Sequence, residues 1–247
     1  MKSTTIIISV LFFLPQFIIS QTINIHTTDG NTHQFNIAEI DSITFAVDNW
    51  ELIFEDDFEN IANGQYPEQN GWKNYYSGVD AYVSEEKASS GQKSFKLIGQ
   101  PYWARVDFTD ISYHKKIKYQ AMIYIPTPTN SYPRLGLWNS NQPSQWGYYP
   151  IIRFEREIYK IYCFGAPSGE ALYTEIGEWE PNKWYLVEAI VDFETNQLTV
   201  KLDGSLLKTV TITSPDDYNG FQLGVGGHDE PGQSVVYFDD VKIYKID

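Results

Sequence analysis

The sequence predicts an all-β protein, a two-sheet antiparallel sandwich preceded by a short β-hairpin module. Three observations carry this expectation. Tyr, Phe and Trp number 18, 14 and 7 among 247 residues, and these residue types favour strands. From residue 50 onward, thirteen short candidate strands alternate with turn dipeptides, with no helical period of useful length between them. Finally, Phe54-Glu55-Asp56-Asp57-Phe58-Glu59 near the start of that region matches Val235-Val236-Tyr237-Phe238-Asp239-Asp240-Val241-Lys242-Ile243-Tyr244 at its end. Two apolar strands that each carry paired acids are expected to lie side by side in one sandwich.

Taken in order, residues 1–20 carry Lys2, an apolar stretch over 6–14, a break at Pro15 and Phe17-Ile18-Ile19-Ser20, the layout of a secretory signal peptide. The stretch is shorter than the about 20 residues a spanning helix needs, so no membrane span is expected. No cysteine follows it to carry a lipid anchor. The mature chain is expected to start near Gln21 and to be secreted, periplasmic or at the cell surface. Residues 21–49 form a hairpin module and linker: Ile23-Asn24-Ile25, a turn around Asp29-Gly30, then His33-Gln34-Phe35-Asn36-Ile37, with Ile40 to Phe45 as a third short strand. Residues 50–247 form the main domain. Its strands are expected at 52–58, 81–84, 94–98, 104–108, 117–125, 134–138, 151–155, 159–164, 184–193, 197–202, 206–213, 220–225 and 235–244. Asn63-Gly64, Asn70-Gly71, Ser90-Gly91, Asp203-Gly204 and Pro231-Gly232 punctuate them.

Without the leader, 17 basic residues face 32 acidic ones, a balance of −15. Such a chain repels phosphate backbones, so nucleic acid is excluded as a partner. The single Cys163 cannot form an internal disulfide. The domain, expected to be a monomer, must therefore rest on its apolar core, for which about 200 residues suffice.

The stretch Asn182-Lys183-Trp184-Tyr185-Leu186-Val187-Glu188-Ala189-Ile190-Val191-Asp192, followed by Asn196-Gln197-Leu198-Thr199-Val200-Lys201-Leu202-Asp203-Gly204, resembles a hairpin of laminin-G-like and concanavalin A-like jelly rolls. Asp56-Asp57-Phe58-Glu59, Ser89-Ser90-Gly91-Gln92-Lys93-Ser94-Phe95 and Phe238-Asp239-Asp240-Val241 are similar to phrases of the same superfamily and extend the likeness over residues 51–247. The resemblance implies a jelly roll and leaves function open among lectins, binding modules, glycosidases, lyases and adhesion domains. It also implies a structural calcium between first and last strands, with Glu59 and Asp239 as ligands and Asp57 as an addition. The other reading is that Asp239 accepts backbone or lysine hydrogen bonds. Glu39-Ile40-Asp41-Ser42-Ile43-Thr44-Phe45 resembles a leader module of secreted proteins from Bacteroidetes-type bacteria, which speaks to origin and not to activity.

Sugars present apolar C–H faces and hydroxyl edges, so their sites combine aromatic platforms with planar hydrogen-bonding groups. The run from Arg134 through Trp138 to Trp146 supplies both. Trp103, Arg105 and Asp107 alternate against Ala104, Val106 and Phe108, and Arg153 and Glu155 alternate against Ile152 and Phe154. If those faces line a concave sheet, Arg105, Gln120, Tyr124, Trp138, Arg153 and Glu155 share one groove.

A catalytic set is harder to assemble. The Glu-x-Asp-x-x-Glu strand of retaining glycosidases is missing, which leaves Glu155 and Glu188 as the candidate acid and nucleophile; retention needs them about 5 Å apart. Arg153-Phe154-Glu155-Arg156 resembles the Arg-x-Glu strand of jelly-roll alginate lyases, and Tyr159-Lys160-Ile161-Tyr162 loosely matches their Tyr/Lys-rich strand, but the companion Gln-x-His strand is missing. His114 and His228 each stand alone. The expected function is therefore non-catalytic binding of an extracellular polysaccharide. The alternatives are a lyase or hydrolase using Arg153, Glu155, Glu188 and Tyr159, and an adhesion module.

Overall fold

The computed structural model describes residues 22–26, 31–36, 48–74, 80–99, 102–108, 114–127, 132–139, 150–156, 158–164, 174–212, 218–226 and 235–247. The leader, the strand expected at 40–45, Trp146 and His228 lie outside them. The chain forms two compact units, Met1–Asp48 and Asn49–Asp247. The first contains the expected hairpin of β1 (Thr22–His26) and β2 (Thr32–Asn36), with Ile23 opposite Phe35 and Ile25 opposite His33.

In the second unit the strands are β3 (Glu51–Asp56), β4 (Lys73–Asn74), β5 (Ala81–Ser84), β6 (Ser94–Ile98), β7 (Tyr102–Asp107), β8 (Lys116–Tyr124), β9 (Tyr132–Trp138) and β10 (Ile151–Glu155). They continue with β11 (Lys160–Cys163), β12 (Thr174–Glu178), β13 (Trp184–Asp192), β14 (Gln197–Leu202), β15 (Ser205–Thr211), β16 (Gly220–Gly226) and β17 (Val235–Ile246). One 3-10 turn, Glu68–Asn70, interrupts them. Every strand pair is antiparallel. A seven-stranded sheet runs β12-β11-β10-β9-β16-β7-β4, and an eight-stranded one runs β15-β14-β13-β8-β17-β6-β5 with β3 also on β17. This is the expected sandwich.

All thirteen anticipated strands are present to within two residues. The two that were missed have a physical reason. β4 is two residues long, and β12 (Thr-Glu-Ile-Gly-Glu) buries only Ile176, so neither shows an apolar period. Alternation builds the core: Val187, Ala189 and Val191 of β13 meet Phe221 and Leu223 of β16 and Leu135 and Leu137 of β9 in one buried cluster. Phe58, Trp72 and Phe95 add packed rings to it.

The chain ends lie side by side as expected, with Asp56 opposite Val241 and Phe54 opposite Ile243. The side-chain parity of β17 differs from simple alternation, which sends Tyr237, Asp239, Val241 and Ile243 to one face. A bulge falls between Asp239 and Lys242, and Asp240 takes the left-handed conformation (φ 48°). The extra residue resets the alternation, so Val236, Phe238, Val241 and Ile243 enter the core. Tyr237 and Asp239 instead bond to the 86–90 segment: Tyr237 Oη donates to Glu86, and Asp239 accepts from the Ser89 and Ser90 amides.

Candidate functional site

The seven-stranded sheet turns Leu135 and Leu137 of β9, Ile152 and Phe154 of β10, Phe221 and Leu223 of β16, and Ala104 and Val106 of β7 into the core. The intervening residues therefore share its other face. These are Tyr132, Arg134, Gly136 and Trp138; Arg153 and Glu155; Gly220, Gln222 and Gly224; and Trp103, Arg105 and Asp107. Register lines them up across the strands. Arg134 stands opposite both Arg153 and Gly224, Gly224 is opposite Trp103, and Gln222 is opposite Arg105.

Two glycines let the tryptophans lie flat on this face. A methyl at 224 would fall 2.6 Å from Trp103 Cζ3, and one at 220 would fall 2.5 Å from Trp138 Cδ1. Guanidinium groups cover rings in turn: Arg105 lies 3.8 Å from the Trp138 centroid, Arg134 lies 4.8 Å from that of Trp103, and Arg153 lies 4.2 Å from that of Tyr132. Arg105 Nε donates to Gln222 Oε1 at 3.3 Å, while the buried Gln222 amide nitrogen has no hydrogen-bond partner among the described residues. Arg153 is ion-paired with Glu155. Burial, and then the positive charge of Arg153, lower Arg134 to about 10, with Glu155 opposing. Arg105, Gln222 and Trp138 form the buried floor, whereas Tyr132, Arg134, Arg153, Glu155 and Arg156 are half-buried and face outward.

Of the six residues expected to share one groove, Arg105, Trp138, Arg153 and Glu155 lie on this face, and Arg134, a candidate from the same run as Trp138, lies there with them. Gln120 and Tyr124 are not in it. They sit on β8, in the other sheet, where the residues between them enter the core and turn both side chains to the opposite outer face. There Tyr124 packs between Trp184 and Tyr237 at 5.4 and 6.0 Å. Glu188 follows on β13 beside Gln120 and pairs with Lys201, so Glu155 and Glu188 cannot flank one sugar bond. Tyr159 sits in a left-handed turn (φ 52°) against Trp179, away from Arg153. Tyr162 is the tyrosine cross-strand from Arg153. Sequence reasoning also missed Tyr132 and Gln222. The alternation Tyr132/Arg134 and the Gly-x-Gln-x-Gly pattern of β16 were signals that could have found them.

The acids assigned to calcium have other partners. Glu59 Oε1 accepts the Gln92 and Lys93 amides, both at 2.7 Å, and Asp57 Oδ1 accepts the Glu59 amide. Both Asp239 oxygens accept amides, from Ser89, Ser90 and Asp240. The Lys93 ammonium occupies the Glu59 and Ile61 carbonyls at 2.8 and 2.9 Å, a cation already in place. Among the described residues, no three acidic, His or Cys side chains converge as ligands. As placed, Asp57, Glu59 and Asp239 do not fit a calcium shell, which needs six or more oxygens around one point. Burial and the adjacent Asp240 carboxylate push Asp239 up to about 7, against the pull of its amide donors.

No family model matches the chain, and no curated protein matches it in sequence. Its sandwich does recur in solved structures. A sialidase superposes with a TM-score of 0.57 at 16% identity, over 76% of this chain but only 18% of its own length. The laminarinase catalytic domain from Thermotoga maritima MSB8 gives 0.52 at 14%, covering 79% of this chain and 98% of that domain. Domain 4 of AbnA, an extracellular arabinanase from Geobacillus stearothermophilus solved with arabinotriose, gives 0.50 at 15%, covering 79% and 93%. At such identities the likeness shows the fold alone. No helix among the described residues is long and apolar enough to cross a membrane.

Proposed function

We propose that this chain is a secreted module that binds a polysaccharide, without cleaving it, on the outer face of the seven-stranded sheet. The observation that carries the proposal is the row of guanidinium groups close to Trp138, Trp103 and Tyr132, whose half-buried members Tyr132, Arg134 and Arg153 bring an aromatic ring and planar donors together at the surface. That pairing suits the apolar faces and hydroxyl edges of sugars. The laminarinase, the arabinanase domain and the sialidase supply context, since the same sandwich serves carbohydrate-active proteins. The placement of the acids supports reading the module as one that binds without cleaving. Glu155 is held by Arg153, and Glu188 lies on the opposite face.

Affinity electrophoresis against neutral and acidic polysaccharides tests the proposal. Retention on at least one polymer, weakened by Trp103→Ala, is expected; free migration through every polymer rejects it. One observation favours a lyase as second reading, namely Tyr162 directly cross-strand from Arg153, a proton-handling group beside a charge-neutralising one. Unsaturated products appearing on incubation with alginate, and lost in Tyr162→Phe, would establish that reading in place of simple binding.

A further inference from the structure

The outer face of the seven-stranded sheet is not equally open across its width. Trp103, Arg105, Trp138 and Gln222 are buried and form its floor on β7, β9 and β16. Tyr132, Arg134, Arg153, Glu155 and Tyr162, on β9, β10 and β11, are half-buried and form the part a ligand meets. At the centre of that part is an ion pair within one strand. Arg153 Nη2 donates to Glu155 Oε2, while Arg153 stands opposite Tyr162 on one side and Arg134 on the other. Glu155 in turn stands opposite Lys160, which is paired with Glu175 and Glu178. The other Glu155 carboxylate oxygen, Oε1, accepts no hydrogen bond among the described residues. Arg153 is thus already matched with an acid, and it is the acid that keeps capacity for a further partner.

From this arrangement we infer that the bound polysaccharide is uncharged and that Glu155 is the residue that reads it, Oε1 accepting a sugar hydroxyl beside the Arg153 guanidinium. The inference rests on the polysaccharide reading above and names the ligand class for the same face. Three physical points support it. An ionised carboxylate only accepts hydrogen bonds, so its partner must donate; a hydroxyl donates, whereas a ligand carboxylate or sulfate group brings only further acceptors. A negative group brought onto Arg153 would have to displace Glu155 or lie against it, on a chain whose net charge of −14 already repels polyanions. Tyr132 is half-buried with the Arg153 guanidinium 4.2 Å from its centroid, so an aromatic ring stands beside the pair. A sugar ring carries C–H faces and hydroxyl edges close together, which a ring and a donor–acceptor pair meet at once.

The test is affinity electrophoresis of the full chain on matched polymers: dextran, laminarin and arabinan, each against its own sulfated form, and carboxyl-reduced alginate against alginate. Retention is expected on a neutral polymer, roughly tenfold or more above its acidic partner, and unchanged between low and high salt because a hydroxyl carries no charge to screen. Glu155→Gln keeps the shape of the side chain and removes its charge. It should weaken neutral retention about tenfold, the scale of one hydrogen bond to a charged group, and strengthen retention on the acidic partner. Lys201→Gln, on the opposite face, should change neither. Thermal melting of each variant separates loss of binding from loss of fold, and the salt series on the unaltered protein tests the inference without any variant. Equal or stronger retention on the acidic partners, neutral retention that falls with salt, or unchanged neutral retention in a folded Glu155→Gln protein overturns the inference while leaving polysaccharide binding intact. Retention on no polymer overturns both.

Discussion

Gly224→Ala probes the floor of the site. The added methyl would stand 2.6 Å from Trp103 Cζ3 and 3.1 Å from Cδ2, whereas ordinary contact begins near 3.4 Å. The indole must therefore lift by about 1 Å. It has little room to do so, since Trp103 is 6% exposed and the Arg134 guanidinium lies 4.8 Å from its centroid. Overpacking of this kind costs about 1–3 kcal/mol. For a domain of about 200 residues, each kcal/mol lowers Tm by about 2–4 °C, so a fall of roughly 3–10 °C is expected in a melt followed by circular dichroism. The Arg134 stack moves with the ring, so retention on polysaccharide should weaken by more than the residual unfolded fraction explains. Trp103→Leu in the Gly224→Ala background should recover part of the stability, because a smaller side chain leaves room for the methyl. A Gly224→Ala protein that melts within about 1 °C of wild type would refute the close packing of ring on glycine and, with it, this account of how the arginines are positioned.

Asp56 ties the 57–72 loop to the first strand, accepting from the Phe58 amide, the Asn70 side chain and the buried Trp72 indole at 2.8, 2.9 and 2.7 Å. Asp56→Ala should cost about 3–5 kcal/mol in urea unfolding through the buried donors it orphans; a cost below about 1 kcal/mol would deny Asp56 that role. Asp239 titrates near 7 in the folded chain against 3.8 for an ordinary Asp. With a raised folded value, the protonated acid is the form that folding favours. Stability in EDTA should thus be greatest below about pH 4 as regards this group, fall as pH rises toward 7, and then level, by up to about 4 kcal/mol at 1.36 kcal/mol per unit. Asp239→Asn should flatten that slope, and stability rising across the same window in wild type would contradict it. Because Lys93 holds the carbonyls beside Glu59, excess EDTA at fixed pH should leave Tm unchanged, whereas a fall of several degrees reversed by calcium would restore calcium to Glu59 and Asp239.

The strands were legible because each writes its burial into the chain with period two. β13 reads Trp184-Tyr185-Leu186-Val187-Glu188-Ala189-Ile190-Val191-Asp192, and Tyr185, Val187, Ala189 and Val191 are the buried set. Alternation also placed Arg153 and Glu155 correctly against Ile152 and Phe154. It does not say which sheet a strand joins. Gln120 and Tyr124 have the same polar-against-apolar rhythm as Arg105 and Arg153, and only strand order reveals that their outward face is the opposite one. Alternation fails outright where a left-handed residue adds to the count, as at Asp240, and that single bulge reversed the expected direction of Asp239. The arginine cluster was hidden for another reason. Its members lie 29, 19 and 3 residues apart, so no basic run exists to be read along the chain.

The two outer faces of the sandwich obey the same alternation and differ in chemistry, and the proposed site rests on that difference. On the eight-stranded sheet several outward charges come as ion pairs, Lys201 with Glu188, Lys116 with Asp192 and Lys96 with Glu86. Partly solvated pairs of that kind contribute little and keep a sheet face soluble. On the seven-stranded sheet the outward positions hold tryptophan laid over glycine, guanidinium over tryptophan, and a buried glutamine between them. Solubility alone does not require such a surface, since solvated lysine and glutamate meet that need without burying a charge. Arg134 is held there at the expense of its own basicity, lowered to about 10 chiefly by burial. Guanidinium set among rings in this way keeps planar donors beside aromatic surface, which is the pairing that the polysaccharide reading uses.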